Sequence, residues 1–170
     1  NKVPVLIGAN AAEYAHKFED VPESQLPAFL GRLLPLEFLD EALQIYSPGN
    51  YGGSSTDAYV AALSDRNILC PQTRYASALA GNQTDPVYLY LFDQGLSDAR
   101  RRGDGAFHAA ELLYLFQHMI GDDFDATDDD RTVQDLMGRY WTGFAATGEA
   151  AGNGPVEWSA FDDVARPYLR

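Results

Sequence analysis

The chain has 170 residues and a formal net charge of −13, from 12 Lys and Arg against 25 Asp and Glu. Hydrophobic residues make up 46% and charged residues 22%, which is typical of a folded globular protein and argues against disorder. The negative charge would repel nucleic acid and anionic lipid, so we expect neither as a partner. No apolar run reaches the roughly 18 residues of a membrane span. We expect a single domain over 1–170.

The first predicted element is a short strand at 3–8. Its sequence, Val-Pro-Val-Leu-Ile-Gly, is apolar and rich in β-branched residues, and Gly8 is expected to end it. A continuous apolar run of this kind predicts a strand that is buried on both faces. Leucine and aromatic residues then recur with helical spacing over 26–34 and, after the break at Pro35, over 36–46.

The rest of the chain alternates predicted helices with one more strand. Two helices are predicted near 55–65 and 68–80. Residues 86–92, Pro-Val-Tyr-Leu-Tyr-Leu-Phe, favour a strand because they are rich in aromatic and β-branched side chains. Further helices are predicted over 109–116 and 127–144, the latter opening with a capping-box pattern. Strands separated by helices indicate an α/β fold with parallel strands, although two strands are too few for a self-sufficient sheet.

Cys70 is the only cysteine, so no disulfide can form within the chain. Its neighbours in sequence, Ile68, Leu69 and Pro71, are apolar. That environment favours a buried, unreactive thiol, and we do not expect Cys70 to act as a nucleophile.

His108 is the first candidate catalytic residue. It follows the second predicted strand and a polar loop, and it stands directly before a predicted helix. In this place an imidazole can reach over the edge of a sheet and act as the general base of a nucleophilic hydrolase. On physical grounds alone, however, a single histidine is more often a surface residue or a core residue with its hydrogen bonds satisfied.

Glu13 is the second candidate, because it follows the end of the first predicted strand by a few residues. Its carboxylate can accept a hydrogen bond from a histidine on the neighbouring strand's loop, which fixes the tautomer and stabilises the imidazolium. The alternative interpretation is a solvated glutamate near the start of a helix. Glu111 has a similar alternative, as a capping or surface residue in a first helical turn.

Together these segments resemble the C-terminal part of type-B carboxylesterases, the cholinesterase-like and para-nitrobenzyl-esterase-like branch of the α/β-hydrolases. The stretch Gly8–Glu13 is similar to the family segment that bears the triad glutamate. The stretch Gly105–Glu111 is similar to the segment that bears the triad histidine. The resemblance runs in the family's order over nearly the whole chain, and its other matching positions are Phe18, 67–71, 86–92, Phe116, 140–148 and Trp158.

The resemblance implies an α/β-hydrolase fold and a serine carboxylic-ester hydrolase with the triad order Ser, Glu, His. The resemblance implies that Glu13 is the triad acid and His108 the triad base. It also implies that Glu111 stabilises the site without contacting the substrate. A small-molecule carboxylic ester is the implied substrate, and neither a metal nor an organic cofactor is implied.

This chain departs from the family at several of these positions, and it also lacks the proline that usually follows Thr147-Gly148. The family usually has glycine after the triad glutamate and after the histidine, where this chain has Tyr14 and Ala109. In animal members the cysteine of the Cys-Pro pair is commonly disulfide-bonded. Cys70 has no partner in the chain, which suggests a bacterial-type member.

The nucleophile of the family stands in a Gly-x-Ser-x-Gly elbow, which this sequence lacks. The nearest match, Gly52-Gly53-Ser54-Ser55-Thr56, fails at its last glycine and falls in a predicted loop between helices. Because the chain also begins with Asn1, we expect a segment of a longer protein, inactive by itself. The alternative is a catalytically inactive cholinesterase-like binding or structural module. Either the missing N-terminal half or a second copy is expected to cover the outer edge of strand 3–8.

Other possible sites are less well supported. The acidic loop at 122–128 is similar to a calcium loop but lacks the required glycine. His16, His108 and His118 lack the spacing of metal ligands. The basic run at 100–102 is expected to be a solvated loop.

Overall fold

The computed structural model describes residues 2–15, 20–96, 104–117 and 126–170. Some features named above lie outside the described residues: His16, Phe18, the basic run at 100–102, His118 and most of the acidic loop at 122–128.

Two parallel strands, β1 (Val5–Asn10) and β2 (Val87–Phe92), pair along their whole length. Val5 lies opposite Val87 and Asn10 lies opposite Phe92. The predicted helix-rich α/β arrangement with two parallel strands is therefore confirmed, although β1 begins and ends two residues later than its sequence suggests. Pairing starts at Val5, whose N–H donates to Pro86 O at 3.0 Å, because the preceding residue, Pro4, has no N–H to donate.

Gly8 lies inside β1, so the prediction that it ends the strand is wrong. It stands opposite Tyr90 in the register, and the Tyr90 ring covers its Cα. A Cβ at position 8 would overlap three atoms of that ring. The glycine thus permits close packing of an aromatic ring against the strand.

Six α-helices occur in the described part of the chain. They are α1 (Leu26–Leu30), α2 (Leu39–Ile45), α3 (Ser55–Ser64), α4 (Cys70–Ala80), α5 (Ala110–Leu115) and α6 (Asp128–Thr147). Short 3₁₀ turns precede the first three, at Glu23–Gln25, Leu36–Phe38 and Pro48–Tyr51. The π-helical turn Asp65–Leu69 joins α3 to α4 without a break, where the sequence predicted two separate helices.

The predicted capping box opens α6. Thr127 accepts a hydrogen bond from Asp130 N, and Asp130 Oδ2 accepts one from Thr127 N at 3.0 Å. Asp130 is fully buried and its other oxygen accepts from the Tyr114 hydroxyl at 2.8 Å. This shared carboxylate fastens the start of α6 to α5, the helix that follows His108.

The sheet lies between two helical layers. On one face, Leu89 and Val87 of β2 pack with Ala76 of α4. On the other face, Tyr88 packs with Trp158 and with Tyr140 of α6. The Trp158 indole donates to Leu89 O at 3.0 Å, so this buried side chain is also tied to the strand.

The two edges of the sheet differ. The outer edge of β2 is covered by Leu169, whose backbone exchanges hydrogen bonds with Leu89 O at 3.0 Å and Leu91 N at 2.8 Å. Within the described ranges, β1 has only β2 as a strand neighbour. Its residues Val5–Gly8 are half-buried, and only its last two are buried. The prediction that the whole strand is buried is therefore wrong for this chain, because among the described residues only one edge of β1 is paired with a strand.

Cys70 is exposed, which contradicts the predicted buried thiol. It is the first residue of α4 and lines an open cleft formed by α2, α3 and α4. Apolar neighbours in sequence do not bury it, because consecutive residues of a helix face different directions.

None of the described helices combines the length and the apolar character that crossing a membrane requires.

The Gly8→Ala substitution is expected to lower the free energy of unfolding by about 1–3 kcal/mol, because the new methyl group forces the Tyr90 ring off the strand. The matched control is Gly138→Ala in the interior of α6, where an added Cβ meets no atom within 4 Å. That control should raise stability by about 0.5–1 kcal/mol through helix propensity. Urea unfolding of both variants measures the difference, and an unchanged Gly8→Ala midpoint would contradict the packing described.

Candidate active site

The loops that follow β1 and β2 leave the sheet at the same edge, because the strands are parallel. Ala11 N donates to Phe92 O at 2.9 Å, the last bond of the sheet. Ala12 N then donates to Ala106 O at 3.0 Å, and Ala12 forms a parallel bridge with Phe107. The segment after β1 therefore runs beside the segment before α5, which brings together residues 95 positions apart.

Glu13 and His108 meet where these two segments lie side by side. His108 Nδ1 is 2.6 Å from Glu13 Oε2. The glutamate is 9% exposed, whereas the histidine side chain is 73% exposed. Since an ionised carboxylate only accepts, Nδ1 is the donor in this bond, and Nε2 is the ring nitrogen that can present a lone pair when the imidazole is neutral. No described residue hydrogen-bonds to Nε2, so it is available to take a proton.

The second oxygen of Glu13 is also held. Its Oε1 accepts from Asn10 N at 2.9 Å. With both oxygens bonded and 9% of the residue exposed, Glu13 is not the solvated glutamate of the alternative interpretation. Burial of a carboxylate is costly unless such bonds compensate it, and here they also fix its direction.

Glu111 reaches this pair through Asn10. The Asn10 Nδ2 group donates to Glu111 Oε2 and to Phe107 O, the latter at 2.7 Å. Asn10 is 1% exposed and stands at the end of β1. Sequence reasoning missed its role, although a polar residue at the end of an apolar strand was a usable signal. In the structure Glu111 bonds the asparagine that contacts Glu13, and no described bond joins Glu111 to His108.

Tyr90 lies near enough to both carboxylates for their charges to act on its phenol. Burial, followed by the negative charges of Glu111 and Glu13, raises the pKa of Tyr90 to about 12. Its ring packs edge-on against Trp141 with centroids 5.0 Å apart. The phenol therefore stays neutral near pH 7 and adds no third negative charge to the site.

Ala109, directly after His108, has a left-handed backbone with φ 66° and ψ 11°. It precedes the first residue of α5, where Ala110 N donates to Phe107 O at 3.0 Å. The left-handed turn lets the chain pass from the bridge at Phe107 into a helix that begins at Ala110. Side chains other than glycine are strained in this region, so Ala109 holds this turn at a cost in stability that the family's usual glycine would not have.

Tyr14, the other departure, lies in the turn after Glu13. Its hydroxyl accepts from Asn67 Nδ2 at 3.4 Å, within the π-helical turn between α3 and α4. The larger side chain thus links the turn that carries Glu13 to the helical layer.

Ser54, the nearest match to a nucleophile, caps a helix. Its Oγ accepts from Asp57 N at 3.1 Å at the start of α3. The described part of the chain shows no group of three or more His, Cys, Asp or Glu side chains arranged to hold a metal.

The sequence matches the family model of the carboxylesterase family over residues 1–170. It is 32% identical over 85 residues to acetylcholinesterase of Bungarus fasciatus, and this alignment covers 49% of the chain and 14% of that protein. It is 34% identical over 93 residues to carboxylesterase 5A of Felis catus, and this alignment covers 50% of the chain and 17% of that protein. A solved structure, PNB esterase, aligns with a TM-score of 0.63 and 26% identity over 93% of the chain and 32% of the esterase. The chain therefore spans about a third or less of the proteins it is similar to.

The Ala109→Gly substitution is expected to raise the free energy of unfolding by about 0.5–1 kcal/mol, because relief of left-handed strain exceeds the entropy that glycine adds to the unfolded chain. Ala145→Gly, at an exposed position inside α6, is the matched control and should lower stability by about 1 kcal/mol. Thermal unfolding of the two variants gives opposite signs. Equal losses would mean that residue 109 is not left-handed in solution.

Proposed function

The chain belongs to the carboxylesterase family, and on that premise we propose that it is the C-terminal part of a serine carboxylic-ester hydrolase in which Glu13 and His108 are the acid and base of the triad. One observation carries this proposal: a buried glutamate holds Nδ1 of an exposed histidine at 2.6 Å. A general base needs a fixed tautomer and an accessible second nitrogen. Both conditions are met at His108.

In the proposed reaction the serine belongs to a part of the protein outside residues 1–170. His108 Nε2 takes the proton of the serine hydroxyl as its oxygen attacks the ester carbonyl. The resulting imidazolium donates that proton to the leaving alkoxide when the tetrahedral intermediate collapses to an acyl-enzyme. Water then attacks the acyl-enzyme in the same way, with His108 taking its proton and returning it to the serine, and the carboxylic acid is released. Glu13 stays ionised throughout and stabilises the imidazolium.

The substrate class we propose is a small-molecule carboxylic ester. The family supports that class, and the relatives' names, acetylcholinesterase and carboxylesterase, are those of ester-cleaving enzymes. The single, exposed Cys70 supports a bacterial-type member without the family's animal disulfide.

The second candidate function is a cholinesterase-like module without catalysis. The absence of a Gly-x-Ser-x-Gly elbow from the sequence favours it for the polypeptide by itself. The paired Glu13 and His108 favour the hydrolase, because a binding module has no need of an exposed imidazole oriented by a buried carboxylate.

In the full-length protein that carries this chain, His108→Ala should lower kcat for a short-chain aryl ester by roughly 10⁴-fold or more, because the serine loses its base. Glu13→Gln should cost as much or less, since the amide removes the charge and can stabilise the wrong tautomer. Glu157→Gln, an exposed glutamate outside the site, is the matched control and should be neutral. An active His108→Ala enzyme would show that the base lies elsewhere.

The edge of β1 that faces away from β2 is the surface at which we propose that a partner binds. Among the described residues no strand pairs with this edge, which suits it to another strand, and its first four residues are only half-buried. In the whole hydrolase we propose that the N-terminal part covers this edge. For the chain alone, we propose a second copy, as a two-fold dimer.

Light scattering on the isolated 170-residue polypeptide tests this. A dimer or larger oligomer is expected at about tens of micromolar, because an exposed strand edge pairs with other strands. Adding the N-terminal part as a separate chain should convert the oligomer to a heterodimer. A stable monomer that does not bind the N-terminal part would contradict both proposed partners.

A further inference from the structure

Asn10 makes bonds to both catalytic segments from a single buried position. Its backbone N–H holds Glu13 Oε1, and its side-chain amide holds Phe107 O, the carbonyl directly before His108. The same amide also donates to Glu111 on α5. Resting on the function proposed above, we propose that Asn10 is a positioning residue, which clamps the segment of the acid to the segment of the base and so sets the Glu13–His108 distance.

The geometry requires a side chain with two donors. Each hydrogen of Nδ2 goes to a different acceptor, one on the loop before His108 and one on the helix after it. Serine or threonine could supply only one. Aspartate has none when ionised, and it would place a second carboxylate against Glu111 and a carbonyl oxygen. Glutamine would push the amide one methylene too far for a site that is 1% exposed.

The side-chain oxygen of Asn10 indicates whether the residue serves the stability of the fold or the geometry of the pair. Asn10 Oδ1 is buried and finds no donor among the described residues. A buried acceptor without a partner lowers stability, and rotating the amide would aim Oδ1 at the two acceptors now bound. The position thus keeps an unfavourable oxygen together with two well-directed donors. We expect replacement of Asn10 to affect the geometry of the pair more than the stability of the fold.

Glu111 completes the clamp from the other side. Its carboxylate accepts from Asn10 and lies in the first turn of α5, so it holds the start of that helix to the end of β1. Glu111→Gln keeps an acceptor for the Asn10 amide, whereas Glu111→Ala removes it. If the clamp acts through this bond, the glutamine variant should lose less activity than the alanine variant.

The test uses the full-length esterase, with kcat and KM for an aryl ester and the far-downfield proton NMR signal of a His108 Nδ1–H bonded to Glu13. Asn10→Ala should lower kcat by about 10- to 100-fold with KM changed less than about twofold, because a displaced base slows the chemical step. The downfield signal should broaden or disappear. Asn10→Asp should be worse than Asn10→Ala. Asn82→Ala, whose amide only caps an exposed helix end, is the matched control and should behave as wild type.

The outcomes separate this proposal from the proposed function. If His108→Ala keeps full activity, the esterase assignment of the pair fails whatever Asn10 does. If His108→Ala is inactive while Asn10→Ala keeps both its kcat and the downfield signal, only the clamp is overturned. A lower melting temperature with an unchanged downfield signal would make Asn10 merely structural. If Asn10→Ala does not fold, the test is the kcat of Glu111→Ala compared with the kcat of Glu111→Gln. Equal values for those two variants would overturn the clamp.

Discussion

The parallel pairing of β1 with β2 is the constraint on which the site depends. Parallel strands deliver their following loops to the same edge, and the register sets how far each loop extends beyond it. With Asn10 opposite Phe92, the next residue still bonds to the sheet and Glu13 is three residues beyond its last pair. That register is possible because Gly8 leaves room for the Tyr90 ring. A slip of one residue would turn Asn10 away from Phe107 and Glu111.

Electrostatics then decide which groups this edge can hold. Two carboxylates, Glu13 and Glu111, lie close enough to the Tyr90 phenol for both to raise its pKa. Like charges in a partly buried place repel and are poorly solvated, so such carboxylates need hydrogen-bond donors. Asn10 and His108 donate to both oxygens of Glu13, and Asn10 also donates to Oε2 of Glu111. The bond from His108 to Glu13 also orients the imidazole, whose side chain is 73% exposed.

Two locally unfavourable features also lie at this place. Ala109 is left-handed directly after His108, and a buried oxygen of Asn10 is unpaired. Both features lower stability, and both persist because the surrounding bonds determine the local geometry. The aromatic layer around Trp158 and the Asp130 bonds to Tyr114 and Thr127 lie outside the site and supply rigidity. The site is thus held by a scaffold in which the buried Trp158, Tyr114 and Asp130 side chains are all hydrogen-bonded.

By itself, the sequence determined the elements and the family. Apolar runs revealed both strands, helical spacing revealed the helices, and the pattern around Glu13 and His108 led to the carboxylesterase resemblance, because these signals are local along the chain. Only the tertiary structure decided the rest. It placed Gly8 inside β1, exposed Cys70, made Ala109 left-handed and brought Asn10 between the segments that carry Glu13 and His108. The reason is that such features depend on partners distant in sequence. The identity of an asparagine at a strand end does not predict that it will bind a carbonyl 97 positions away. Only the register of two paired strands brings the two groups within hydrogen-bonding distance.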